Sequence, residues 1–473
     1  MKNTEDQELA LKKMLEWSTS PFNTVHDLLY TLDGAAGTGK TTIVKQFLNN
    51  LKVDKRKIAV TAPTHKAKKV IQAATGFPSQ TIQKLLGLRP DINLDGFNPN
   101  RPVFNPIAED EIQYYTYVVI DESSMFNQEA FKLICELAFK YKVRIIFLMD
   151  AYQLPPIGEE ISLVFKNVKN ISTLTTVVRQ DPNNPMASIL KMLREDIRYG
   201  TDKGIARIIQ LKQHISSDGE QGFECLTKEP SPSFNNTIFK DSLLNYYYST
   251  EYKHNRNHIK FLAYTNDNVV VWSNTIRESL LKDAAKNIIN VGEVLTGYTN
   301  ILNFKAKTMV LENSEDYEVV GVFEGKSKDG IVGYHLSLES LIEEGTTKVF
   351  LIDHRDEENV QLFRELLLDK LAKAKQFRGG YWNTYYNFKN SHLTLVDLPI
   401  DPKKPVNAYN NLLCPKDIYY GYGFTVHKSQ GSTYENCAIN LENLYTNQNI
   451  SERARLVYVA LSRTRNMNLI LVQ

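Results

Sequence analysis

Residues Gly34–Thr42 read Gly-Ala-Ala-Gly-Thr-Gly-Lys-Thr-Thr, a match to G-x-x-x-x-G-K-[ST], and that pattern requires a strand, a glycine turn and a helix in this order. Glycines let successive backbone N–H groups turn inward, and a helix N-terminus adds a favourable dipole for phosphate. The flanks agree. Residues 26–33 are extended-type and apolar, and residues 41–51 space their apolar side chains as one helix face. The segment predicts a nucleotide cradle made of Gly34, Ala35, Ala36, Gly37, Thr38, Gly39, Lys40, Thr41 and Thr42. Lys40 supplies a point charge at the terminal phosphates, and the Thr41 hydroxyl suits Mg²⁺.

A second apolar run, Val118-Val119-Ile120, ends in Asp121 and Glu122. A buried parallel strand that delivers two carboxylates to its C-terminal end is placed where α/β proteins hold ligands. Asp121 suits the Mg²⁺ shell, and Glu122 suits positioning or deprotonating an attacking water. The next run, Ile145–Met149, leads into Asp150-Ala-Tyr-Gln153-Leu-Pro-Pro-Ile-Gly158. There Gln153 could report loss of the γ-phosphate while the prolines stiffen the connection to a moving part.

At 473 residues the chain needs several cores. Its 56 Lys and Arg against 54 Asp and Glu give a formal charge of +2, so any nucleic-acid footprint is local. Cys135, Cys225, Cys414 and Cys437 are widely separated, which argues against a zinc site or a disulfide framework and fits a reducing cytoplasm. His254-Asn-Arg-Asn-His258 has helix-compatible spacing but lacks the Glu of a zinc protease. No apolar run is long enough to span a bilayer.

Strand candidates at 28–33, 57–61, 116–120 and 143–149 alternate with helical stretches and predict a parallel sheet covered on both faces. Between Gly87 and Tyr114 turn formers dominate, which indicates an inserted hairpin. A second α/β region has its first clear strand after Lys260, continues into a helix through about Lys282, and resumes at Gly421. Short β-rich runs fill 291–352, a charged helix follows at 356–375, and the aromatics Tyr381, Trp382, Tyr385, Tyr386 and Phe388 come next. Most of these aromatics are expected to pack the helical arm, with Trp382 or Tyr386 left to touch a nucleic-acid strand.

Taken in order, Asp121-Glu-Ser-Ser-Met, Asp150-Ala-Tyr-Gln-Leu-Pro-Pro-Ile-Gly, Gly421-Tyr-Gly-Phe-Thr-Val-His-Lys-Ser-Gln-Gly-Ser432 and Val457-Tyr-Val-Ala-Leu-Ser-Arg463-Thr-Arg465 resemble motifs II, III, V and VI of superfamily 1 helicases. Within that superfamily the chain is most similar to the 1B branch of Dda-like type and, more distantly, to RecD-like proteins. The resemblance implies an α/β fold of two RecA-like P-loop domains, with a β-hairpin pin inserted in the first and an SH3-like β insertion with a helical arm in the second. It divides the chain into domain 1A (1–86 and 115–173), the pin 1B (87–114), domain 2A (174–290 and 421–473) and domain 2B (291–420).

The resemblance further implies a monomeric, ATP- and Mg²⁺-dependent motor that runs 5′ to 3′ on single-stranded DNA and opens forked duplex. It would work in the cytoplasm of a bacterial or phage-infected cell, alongside replication or recombination proteins. By position, Arg179 and Arg463 resemble the motif IV and VI arginines that reach the γ-phosphate. Gln7 resembles the residue that holds the adenine edge, although Thr4-Glu-Asp-Gln7 is also a capping box. Pro63, Thr64, His65, Thr81, Thr265, Asn266, Thr425, His427, Lys428 and Ser429 resemble single-strand contacts. Gln83 departs from the usual His of motif Ib. Phe104, or alternatively Phe97, falls where the pin presents an aromatic. Competing readings are a single-strand-stimulated translocase that displaces proteins, the motor subunit of a recombination complex, and a nucleotide-binding module that does not hydrolyse. Intact Glu122, Arg179 and Arg463 oppose the last.

Overall fold

The computed structural model describes residues 3–62, 65–90, 104–106, 109–155, 162–178, 184–228, 238–303, 308–342, 344–377, 379–404 and 411–472. The chain forms two compact units, one of residues 1–88, 108–270 and 424–473, the other of 89–107 and 271–423.

The first unit contains two six-stranded sheets. One is wholly parallel, in the order Ser79–Thr81, Ile58–Ala62, Tyr117–Ile120, Arg144–Met149, Leu29–Gly34, Asn170–Leu174. Its four central strands are buried at every position, which is why they read as continuous apolar runs rather than alternating ones. Helices cover both faces. Met14, Trp17, Phe47 and Leu48 pack on one side, and Ile82, Leu85, Phe131 and Ile134 on the other.

The four strands expected from the sequence lie within one or two residues of those observed. The two edge strands, Ser79–Thr81 and Asn170–Leu174, were not expected. They are only partly buried, and so carry little apolar signal.

The second sheet runs in the order Gly423–Thr425, Ile259–Ala263, Asn436–Asn440, Met467–Leu471, Gly222–Leu226, Gln213–Ile215. Its last pair is antiparallel. That hairpin precedes Lys260, where the sequence indicated the first clear strand. Gln213–Ile215 is exposed throughout, so hydropathy does not reveal it. At the turn back Gly222 has φ 137°, and a Cβ there would sit 2.1 Å from the His214 carbonyl oxygen, so only glycine closes the pair.

The second unit is built on a five-stranded antiparallel sheet, Thr346–Ile352, Val332–Ser340, Asp316–Lys326, Val294–Gly297, Ile418–Tyr420. Helices Glu357–Phe377 and Gly380–Asn390 share its core through Phe350, Phe363, Leu367, Trp382, Tyr385 and Phe388. Trp382 is therefore a core residue and is withdrawn as a strand contact. Short strands Leu88–Pro90 and Phe104–Pro106 pair with each other. Phe97 lies outside the described residues.

Within this unit Arg277 and Glu293 form a buried ion pair at 2.5 Å, and the same guanidinium bonds the carbonyls of Ala284, Asn287 and Ile288. Glu293→Ala should cost about 3–5 kcal/mol because it strands a buried cation, whereas Arg277→Met with Glu293→Leu strands no charge and should cost less, about 1–3 kcal/mol for the carbonyls left without a donor. Denaturant midpoints of the three proteins check this.

A candidate nucleotide site and single-strand face

Leu29–Gly34 delivers the chain to the glycine loop, and helix Lys40–Asn50 leaves it. Gly37 and Gly39 have φ of 83° and 84°, a left-handed region that side chains with Cβ rarely occupy. At Gly34 a Cβ would meet the Thr38 hydroxyl at 2.6 Å, so the first glycine is required for closeness rather than for φ. The loop carbonyls are held from outside, Gly37 O by Val178 N at 2.9 Å and Thr38 O by Gln7 Nε2 at 2.9 Å. The Lys40 ammonium rests on the Gly34 and Ala35 carbonyls at 2.5 and 3.2 Å. Thr41 and Thr42 occupy the first turn of the helix.

Gln7 fits the capping-box reading, and its amide nitrogen is engaged with the glycine loop. Its Oε1 accepts from Thr4 N, completing the capping box, while its Nε2 braces the loop. Asp6, which the motifs did not single out, receives Thr175 N at 2.7 Å and Thr176 N at 2.8 Å. The Thr4 hydroxyl and then these bonds hold its carboxyl well below the usual range despite burial, and the two backbone bonds tie the first helix to the segment leading toward Arg179. Arg179 itself lies outside the described residues. The available signal for Asp6 was its place in the first helical turn, where an acid is ordinarily read as a dipole partner.

The acidic pair sits at the end of Tyr117–Ile120. Glu122 has φ 49°, a conformation that costs a non-glycine residue energy and persists where the surroundings impose it. Asp121 Oδ1 accepts from Glu122 N at 2.9 Å, so it is not a helix cap. Burial, and then the Glu122 carboxylate, push Asp121 up to about 7, with Lys40 opposing. Two carboxylates with so little positive charge nearby fit a divalent cation, whose field would restore the ionised form. Thr41 and Asp121 are the residues that would hold Mg²⁺.

Gln153 is 5% exposed, and its Oε1 is buried without a partner among the described residues. An orphaned amide oxygen calls for a donor, and a water positioned for attack is one. The backbone of this loop is fixed by the other sheet. Arg455 Nη1 donates to Ala151 O at 2.7 Å and Gln153 O at 2.9 Å, and Tyr458 OH donates to Asp150 Oδ2 at 2.8 Å. Leu154 is buried in the core of the second sheet beside Phe424, Val426 and Val457. Arg455 and Tyr458 were missed by the sequence reading. Their i, i+3 spacing on helix Ile450–Ser462 was the available clue.

Arg463 ends that helix, buried, with Nε on Val459 O and Nη1 on Ser432 O. It therefore ties the turn after Thr425 to its own helix in this structure. Gly431 of that turn comes against the first sheet: a Cβ there would lie 3.7 Å from Glu122 Oε1 and 3.6 Å from Ala67 Cβ.

The single-strand candidates lie after the C-terminal ends of two adjacent strands at one side of each sheet, Ser79–Thr81 and Ile58–Ala62 in the first and Gly423–Thr425 and Ile259–Ala263 in the second. Thr81 ends Ser79–Thr81 and caps Lys84 N, and His65 opens helix His65–Thr75, while Pro63 and Thr64 lie outside the described residues. Thr265 follows Ile259–Ala263. Its Oγ1 accepts from Asn268 N, so Thr265 rather than Asn266 caps helix Asn266–Leu280.

Asn443, also missed, receives Tyr264 N and Thr265 N on its Oδ1 and shapes this end. Thr425 is buried and its Oγ1 accepts from Lys428 N. Burial lowers the His427 pKa, so the imidazole is neutral at pH 7 and packs near Tyr264. Ser429 is fully buried with its hydroxyl on Val426 O, which makes it a former of the turn rather than a presented donor. The Phe104 backbone lies in its short strand.

A family model described as AAA domain matches residues 19–211, and one described as UvrD-like helicase C-terminal domain matches residues 420–472. The ATP-dependent DNA helicase dda of Enterobacteria phage T4 is 24% identical over 271 residues, 56% of this chain and 55% of that protein. The crystal structure of Bacteroides Pif1 bound to ssDNA aligns with 99% of this chain and 92% of its own, at 16% identity and a TM-score of 0.50, a likeness of fold. The chain is similar to the superfamily 1B helicases.

An uncharacterised protein of Acanthamoeba polyphaga mimivirus is 24% identical over 515 residues, covering 98% of each chain. The chain has two RecA-like sheets and is an ATP-dependent DNA helicase. Among its described residues no helix is long and apolar enough to cross a membrane, and no cluster of three or more His, Cys, Asp or Glu could hold a metal. His254 Nδ1 lies 2.7 Å from Thr250 O.

From this geometry, Glu122→Gln should lower ATP turnover by about 10²–10⁴-fold, the range of a lost general base, and retain nucleotide binding. Lys40→Ala should nearly abolish turnover by removing the charge at the phosphates. Steady-state ATPase together with equilibrium nucleotide binding checks both.

Proposed function

We propose that this helicase moves 5′ to 3′ along single-stranded DNA and parts duplex at forks. The polarity rests on the resemblance to the 1B branch, and the observation that carries the motor reading is the turn 425–431. At one end it follows the strand bearing the single-strand candidates, and at the other Gly431 faces Glu122. Gln430 Nε2 also reaches Leu154 O at 3.3 Å. A shift of this turn when a strand binds would move the surroundings of the proposed catalytic base, which is the coupling a motor needs.

In this reading residues 1–86 and 115–173 form domain 1A and residues 174–290 and 421–473 form domain 2A. Residues 87–114 are the pin 1B, and residues 291–420 are the SH3-like insertion 2B with its helical arm. The glycine loop and Lys40 bind the phosphates. Thr41 and Asp121 would hold Mg²⁺, which when bound would supply charge neutralisation. Glu122 takes a proton from the attacking water, which Gln153 orients, and Gln7 positions the loop under the base. Arg179 and Arg463 stabilise charge in the transition state, and Arg463 must leave the Ser432 carbonyl to do so. His65, Thr81, Thr265, Asn266, His427 and Lys428 hold the strand mainly by its backbone.

A duplex with a 5′ single-stranded tail should be unwound and one with only a 3′ tail should not; unwinding from the 3′ tail alone contradicts the polarity. Phe104→Ala should reduce strand separation while sparing strand-stimulated ATPase. Lys428→Ala should reduce the salt slope of DNA binding by about 1, whereas neutral His427 replaced by Ala should weaken binding without changing that slope. Anisotropy titrations over a salt series check this.

A further inference from the structure

Asp33 closes the P-loop strand and belongs to none of the motifs. It is 4% exposed, and its Oδ1 accepts from Ala151 N at 2.9 Å. Ala151 is thus gripped at both backbone groups, its N–H by Asp33 and its carbonyl by Arg455 of the second sheet's helix. Three residues further on, Leu154 is embedded in the second core. On its other side Asp33 feels Lys40, which attracts its carboxylate, while Asp150 repels it.

Burial pushes the Asp33 carboxyl up to about 6 in spite of the bond from Ala151. At neutral pH the charge is therefore held at a cost that an isosteric amide would avoid. Residues that keep such a cost mark places where function outweighs stability.

We propose that Asp33 is a positioning residue that links the state of Lys40 to the second sheet through the loop Asp150–Pro155. With Lys40 drawn to phosphates, the Asp33 carboxylate loses a counter-charge and depends more on the Ala151 N–H. With Lys40 back on the loop carbonyls, that demand relaxes. Asp33 touches no reacting atom; it sets where Ala151, and with it the Gln153 side chain and the Arg455 contact, stand.

The inference rests on the proposed strand-stimulated ATPase. The test measures kcat and KM for ATP with and without oligo-dT, together with Tm, for wild type, Asp33→Asn, Arg455→Gln and the double variant. Asp33→Asn should fold with a Tm no lower than wild type, because the neutral amide relieves the burial cost, and should leave KM little changed. The oligo-dT stimulation of kcat should fall about tenfold, a typical size for coupling between sites. In the double variant the loss should be less than the product of the single losses, since both residues hold one loop.

Wild-type stimulation in Asp33→Asn overturns the proposal. So does a lowered Tm with equal losses of kcat in the presence and absence of DNA, which would make Asp33 structural support only. If wild type itself is not stimulated by oligo-dT, the function proposed above fails instead.

Discussion

The structure depends on one loop that belongs to two cores. Asp150–Pro155 leaves the first sheet beside the nucleotide residues, and its Leu154, 1% exposed, completes the hydrophobic core of the second sheet. Packed interiors do not deform gradually, so this loop cannot shift without either vacating that site or moving the second sheet with it. Arg455 and Tyr458 reinforce the seating with three hydrogen bonds from one helix. A change felt at Gln153 is thereby felt at Arg463, eight residues after Arg455 on the same stretch of chain.

The turn 425–431 makes the return connection. Its first residues close the second sheet, Gln430 bonds the Leu154 carbonyl, and Gly431 sits against Glu122. Glu122, in a left-handed conformation and half-buried, has little freedom to compensate for a displaced neighbour. Two contacts thus join the turn to the C-terminal end of the first sheet, one through the Leu154 carbonyl and one at Glu122.

Much of this was legible in the sequence, for physical reasons that differ by element. Strands Ile58–Ala62, Tyr117–Ile120 and Arg144–Met149 are buried on both faces and announce themselves as apolar runs; Ser79–Thr81, Asn170–Leu174 and Gln213–Ile215 lie at sheet edges and do not. The glycine loop, Asp121, Glu122 and Gln153 stand out in the sequence because phosphate chemistry requires those residue types at fixed spacing. Asp6, Asp33, Asn443 and Arg455 were not, since each acts by bonding a backbone group distant in sequence, and a lone Asp, Asn or Arg carries no periodicity. Ser429 and Trp382 show the converse: residue type suggested contact with a strand, and burial assigns both to the interior.

The central claim is that nucleotide and single-strand binding are coupled through Leu154. The most direct measurement is the affinity for oligo-dT with and without a non-hydrolysable ATP analogue, in wild type and in Leu154→Ala. The account predicts that the analogue changes the oligo-dT affinity of wild type by about 5–150-fold, the span of typical coupling energies. In Leu154→Ala the change should shrink clearly, to the part carried by Gly431 against Glu122, while each ligand alone still binds. An undiminished nucleotide effect in a folded Leu154→Ala protein would contradict it.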